Sequence, residues 1–157
     1  MAERLSTGFV DAVNQTGSVK ATMTNSVIHI YSGTQPATAD AAETGTLLLI
    51  LTESGGAFVS GAPGNGLNMG TSTGGVLSKA AAETWQGLGL AAASTGTVAG
   101  YFRWYANTVV TGISTTAVRV DGAIGTSSSY EMQMSNTTIA EGGLSTVQTF
   151  TYTAPKQ

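Results

Sequence analysis

Residues 27–53 constrain the fold of this chain more than any other part. Ile28 and Ile30 alternate with His29 and Tyr31, residues 33–45 form a Pro-containing connection, and Leu47 to Leu51 is an unbroken apolar run. Alternation with a period of two is what a strand with two different faces requires. The same signal recurs down the chain. It predicts strands at 27–32, 46–53, 57–60, 83–87, 98–106, 117–123, 130–135 and 146–153. Clusters of Gly, Ser and Asn at 61–75, 94–96, 125–129 and 141–143 separate them. About eight short strands with such punctuation predict a mainly β chain, a single antiparallel β-sandwich of jelly-roll type. The 61–75 stretch is the longest expected loop.

The first 26 residues read differently. Leu5, Phe9 and Val13 fall at i, i+4 and i+8, one face of a short helix. Gly8 weakens that helix and Gly17 should end it. Ser18 can then cap a second short helix carrying Val19 and Met23. Helices this short need a surface to lie on. The expected organisation is therefore a helical segment at 1–26 and one β-domain at 27–157, with no linker.

Charge narrows the function classes. Only 10% of the 157 residues are charged, and the net charge is −3, where ordinary domains carry about 25%. Lys20, Lys79, Lys156, Arg4, Arg103 and Arg119 are the only basic residues and are scattered, which argues against a nucleic-acid partner. The absence of cysteine removes disulfides and thiolate metal sites, so packing and assembly must supply stability. No secretory signal or membrane-length apolar run is expected, and a chain made in the cytoplasm should stay there until it is incorporated into something.

The residues that could do chemistry do not form a constellation. His29 is the only histidine, and a metal site needs several ligands. No serine sits in a Gly-x-Ser-x-Gly elbow, and neither Gly-rich stretch ends in the Lys-Ser/Thr of a phosphate loop. Glu83, Asp121 and Glu131 could supply the paired acids of a glycosidase, but pairing with Arg103 and Arg119 is the favoured reading. The expectation is no catalytic residue, no metal and no cofactor. In the aromatic run at 101–105, alternation puts Phe102 and Trp104 on a core face and Tyr101, Arg103 and Tyr105 on the other. Tyr101 and Tyr105 are candidates for a contact surface, together with Leu5, Phe9, Val13, Val19 and Met23 of the N-terminal segment.

Five phrases carry a resemblance. IYSGTQPATADAA followed by TGTLL, NGLNMG (65–70), GVLSKAAAETWQGLG (75–89), AGYFRWYAN (99–107) and TTAVRVDGAIGTS (115–127) resemble small structural proteins of tailed-bacteriophage virions, and together they cover most of the chain. The resemblance implies a virion component with a physical rather than a catalytic role. A head-decoration or cement protein would sit on the capsid exterior against the major capsid protein, as a homo-oligomer, a trimer in preference to a dimer. A tail, collar or fibre component, or a carbohydrate-binding module, are the alternatives. No membrane or nucleic-acid partner is implied.

Overall fold

The computed structural model describes residues 3–153. Strand far outweighs helix, 42% against 11%. In chain order the elements are β1 (Arg4–Leu5), α1 (Thr7–Thr16), α2 (Val19–Thr22), β2 (Val27–Ser32), β3 (Leu47–Glu53), β4 (Met69–Thr73) and β5 (Val76–Lys79). Then come β6 (Trp85–Leu88), a 3-10 turn (Ala91–Ala93), β7 (Thr97–Tyr105), β8 (Arg119–Gly125), β9 (Met132–Met134), β10 (Thr138–Ile139) and β11 (Leu144–Thr153).

The mainly β expectation holds, but the sandwich does not. Neighbouring strands run β8–β7–β2–β3–β6–β11, and β9 joins β11 to β8, so seven strands close into a barrel. All ladders are antiparallel except β8–β9, which makes the barrel mixed. A closed wall has no edges to protect. The joining strand is three residues long, too short to announce its two partners by periodicity.

Both helix ends form as the sequence dictates. The Ser6 and Ser18 side chains accept hydrogen bonds from Phe9 N and Ala21 N, and Gly17 ends α1 at φ 73°. Gly8 has a different role from the one expected. A Cβ there would lie 2.4 Å from the Thr116 carbonyl carbon, so glycine is what lets α1 lie against the chain leading into β8. Leu5 belongs to a strand, not to the helix. Residues 57–60 form no strand, and the expected loop at 61–75 instead contributes β4, which turns at Gly74–Gly75 into β5. The chain beyond Thr153 lies outside the described residues.

Phe150 sits at the centre of the core. The rings of Phe102, Trp104 and Trp85 surround it at 5.1–5.3 Å between centroids. Opposite Phe102 on β8 stands Gly122, where a Cβ would come within 2.4 Å of the Phe102 ring. Phe9 and Met23 from the helices join this cluster with Leu67, Met69, Leu77 and Tyr152, and close the end of the barrel where β7 finishes.

Candidate functional site

The outer face of β2, β7 and β8 carries the densest polar chemistry in the molecule. Register places His29 beside Arg103, and Arg103 beside Asp121. The expected pairing forms: Arg103 Nε and Nη2 donate to the two Asp121 oxygens at 2.6 and 2.8 Å, both side chains fully buried. Arg119 makes its hydrogen bonds to carbonyls of Ala39, Asp40, Val110 and Gly112. Two loops, 33–46 and 106–118, are thereby drawn down over this face.

Glu43 is the residue that sequence reasoning missed. It lies in the Pro-containing connection, with nothing in its local context to distinguish it. Its carboxylate accepts from Arg103 Nη1 at 2.9 Å, Tyr105 O–H at 2.6 Å and Gly112 N–H at 2.9 Å, and lies 3.5 Å from Arg119 Nη1. Burial alone would raise its pKa. The hydrogen bonds from Tyr105, Gly112 and Arg103 outweigh that and hold it down at about 2. Burial pushes Asp121 up, against the pull of Arg103, which stays charged beside it. Tyr31 is pushed up to about 12, chiefly by burial.

His29 ends the cluster. Its ring packs edge-on to Tyr105 at 4.9 Å, and Nδ1 lies 3.4 Å from the Tyr31 hydroxyl. Burial lowers its pKa to about 4, with Glu43 pulling weakly the other way. A shallow groove of about 260 Å³ runs past it, lined also by Thr52, Phe58, Gly87 and Leu88. That is small beside the roughly 300–1,000 Å³ of ligand pockets.

The three acids considered for glycan chemistry lie in three separate surroundings. Asp121 is held by Arg103. Glu83 accepts from Asn68 N and Nδ2 at 2.8 Å and from Trp85 Nε1 at 2.7 Å, and pairs with neither arginine. Glu131 accepts from Ala123 N–H at 3.2 Å. Among the described residues no group of three or more ligating side chains could hold a metal ion, and no helix is long and apolar enough to cross a membrane.

The candidate contact residues divide. Phe9, Met23, Tyr101 and Tyr105 are buried within this chain, which corrects the expectation that they form an outward contact. Tyr101 and Tyr105 face outward from the barrel, but the 33–46 loop covers them: the Tyr101 hydroxyl bonds the Thr44 carbonyl and Tyr105 bonds Glu43. They offer no exposed ring on which a sugar could stack. Phe9 and Met23 plug the barrel end because short amphipathic helices find their apolar surface at home. Val13 and Val19 are half-buried against the core, and Leu5 remains 37% exposed.

The most exposed apolar side chains lie elsewhere, in two groups, with Val10 on α1 and Tyr130 exposed apart from them. Leu88 and Leu144 stand directly opposite each other at the end of β6 and the start of β11, 59% and 57% exposed. Val98, at the start of β7, shares that end. Beyond the ends of β3 and β7, the 57–62 and 106–118 segments are tied by Gly61 N to Asn107 O and Val109 N to Ser60 Oγ. They present Val59, Val110 and Ile113, the last 84% exposed. Comparison with protein-family models, curated proteins and solved structures finds no match.

Proposed function

We propose that this chain is a non-enzymatic structural protein of a tailed-bacteriophage virion, a decoration or cement protein of the capsid exterior. Its partners are the major capsid protein and further copies of itself, a trimer in preference to a dimer. The observation that supports the reading is the exposure of apolar side chains from two separate parts of one small, weakly charged barrel. Leu88 and Leu144 pair at the end of β6 and the start of β11, with Val98 at the start of β7, and Val59, Val110 and Ile113 project from the tied segments 57–62 and 106–118. Exposed apolar groups of this kind can serve as contact surfaces, and a body with two such surfaces can bridge two neighbours. Weak contacts repeated over a shell add up through multivalency.

The titratable groups support the same reading. Asp121, Glu83, Glu43 and His29 are bound to their own chain, which leaves them engaged in holding loops and strands. The resemblance of the five phrases to phage structural proteins supports that setting.

The test uses shells of major capsid protein from the same phage. The variants Leu88→Thr with Leu144→Thr, and Val59→Asp with Ile113→Asp, alter side chains that are more than half exposed, and Thr keeps the paired strand positions free of like charges. Each pair should keep the melting temperature while lowering shell occupancy at least tenfold. If both double variants saturate shells like the parent, the reading is lost. Copy number by cryo-electron microscopy separates locations: hundreds per particle place the protein on the head, a handful in the tail, collar or fibre.

A further inference from the structure

One stretch of the barrel wall is made by two strands in line rather than by one. On the side of β8 away from β7, β1 lies opposite Val120 and Asp121, and β9 lies opposite Ile124 and Gly125. Gly122 and Ala123, between them, have no strand partner on that side. The side chain of Glu131 fills part of the gap, taking the Ala123 N–H. Glu3 precedes β1 and is near enough to Glu131 for that carboxylate to raise its pKa. Its Oε1 is buried and has no hydrogen-bond partner among the described residues.

We propose that Glu3 and Glu131 form a pH-operated latch on the N-terminal strand. With Glu3 protonated, β1 completes the barrel wall. With Glu3 charged, Arg4–Leu5 is released from β8.

Besides its short ladder on β8, this strand is held by the Arg4 guanidinium on the Pro36 carbonyl. It is two residues long and Leu5 is partly exposed, so it buries little apolar surface. Release would stop at Ser6. That hydroxyl donates to Ala117 O at 2.6 Å and accepts from Arg119 N at 3.1 Å, and Thr7 is bound to Asp40.

Among the described residues, the groups facing Glu3 offer no compensation. From the β8–β9 connection comes Glu131, and from β11 the Tyr152 phenol, which burial and Glu3 keep protonated. On β1 itself Arg4 reaches away to the Pro36 carbonyl, and on β8 Asp121 is taken by Arg103. The N-terminal amine and Lys156 lie outside the described residues. Burial first, and Glu131 second, push Glu3 up to about 7 from an ordinary 4.5. The docked strand is therefore most stable below about 4.5, loses stability as pH rises to about 7, and is level above that. A shift of that size corresponds to roughly 30- to 300-fold in the docked-to-released ratio, the lower figure allowing for solvent screening.

Amide exchange at residues 4–5 of the full chain tests this, each pH being referred to Glu3→Gln so that intrinsic rates cancel. The ratio of wild type to variant should be near one at pH 3.5 and at least tenfold at pH 8. Carboxyl NMR of the wild type should place the Glu3 midpoint near 7, and Glu131→Gln should lower it. A flat exchange ratio, a Glu3 midpoint below 5.5, or a midpoint indifferent to Glu131→Gln would each overturn the latch.

Discussion

Along β7, Phe102 and Trp104 face Phe150 inside the barrel, while Tyr101, Arg103 and Tyr105 face two loops outside it. Both sets are buried, yet different physics buries them. The inner face is closed by apolar packing around one ring, which is tolerant of detail so long as volume is kept. The outer face is closed by charge: Arg103, Arg119, Asp121 and Glu43 satisfy one another and pin the loops 33–46 and 106–118. The inner region needs shape and the outer one needs every partner present. An ionic cluster out of water is costly to break from one side only.

The largest effect should come from breaking that cluster on one side. Arg103→Met leaves Asp121 and Glu43 buried without their main cation, and we expect a loss of about 3–5 kcal/mol. Phe150→Ala on the inner face should cost a similar ~3–5 kcal/mol as a cavity. A second change separates the two regions. Adding Asp121→Leu to Arg103→Met should recover much of the loss, because an apolar pair can replace an ionic one. Chemical denaturation of the three variants checks this, and no recovery in the double variant would contradict the ionic account of the outer face.

Glu43→Gln comes next. The folded pKa of Glu43 lies below its ordinary value, so the stabilisation is present above about pH 4.5 and lost as pH falls toward 2. The variant should be about 3 kcal/mol less stable at pH 7, and the gap should close in acid. Equal differences at pH 7 and pH 2.5 would show that the carboxylate charge is not what holds the loops.

The smallest effect at neutral pH belongs to His29→Gln, about 1 kcal/mol from altered packing. Its signature is in pH dependence. A histidine held neutral contributes stability above about 6.5 that is lost as pH falls to about 4, and the variant should lack that slope. Measuring it in a Glu3→Gln background removes the opposite local slope of the N-terminal seam. A slope unchanged by the substitution would mean that another group titrates there.

Much of the fold was legible in the residues. The strand at Val27–Ser32 has the expected bounds, because its alternation is strict and Gly33 stops it. The Ser18 cap and the Gly17 stop were readable because capping is local chemistry. The Arg103–Asp121 pair was readable as a type of contact, since strand alternation puts few charges on any one face. Glu43 and the apolar pair Leu88–Leu144 were not legible. Glu43 is 60 residues from Arg103 in sequence, and its role exists only once the connection folds back. Leu88 and Leu144 fall just outside the strands expected at 83–87 and 146–153, and only the register of β6 on β11 brings them together at the rim.

The sequence by itself therefore determined most of the strands, which sides of β2 and β7 are apolar or polar, and the Gly17 stop and Ser18 cap between the helices. These depend on periods and caps spanning a few residues. The tertiary structure decided that the sheet closes into a barrel, that the polar face of β7 is buried as deeply as its apolar face, and that the amphipathic helices plug their own core. Each of those outcomes rests on segments far apart in the chain, a three-residue strand joining β8 to β11 and a loop carboxylate reaching two guanidiniums. No local pattern encodes a partner that only folding brings within reach.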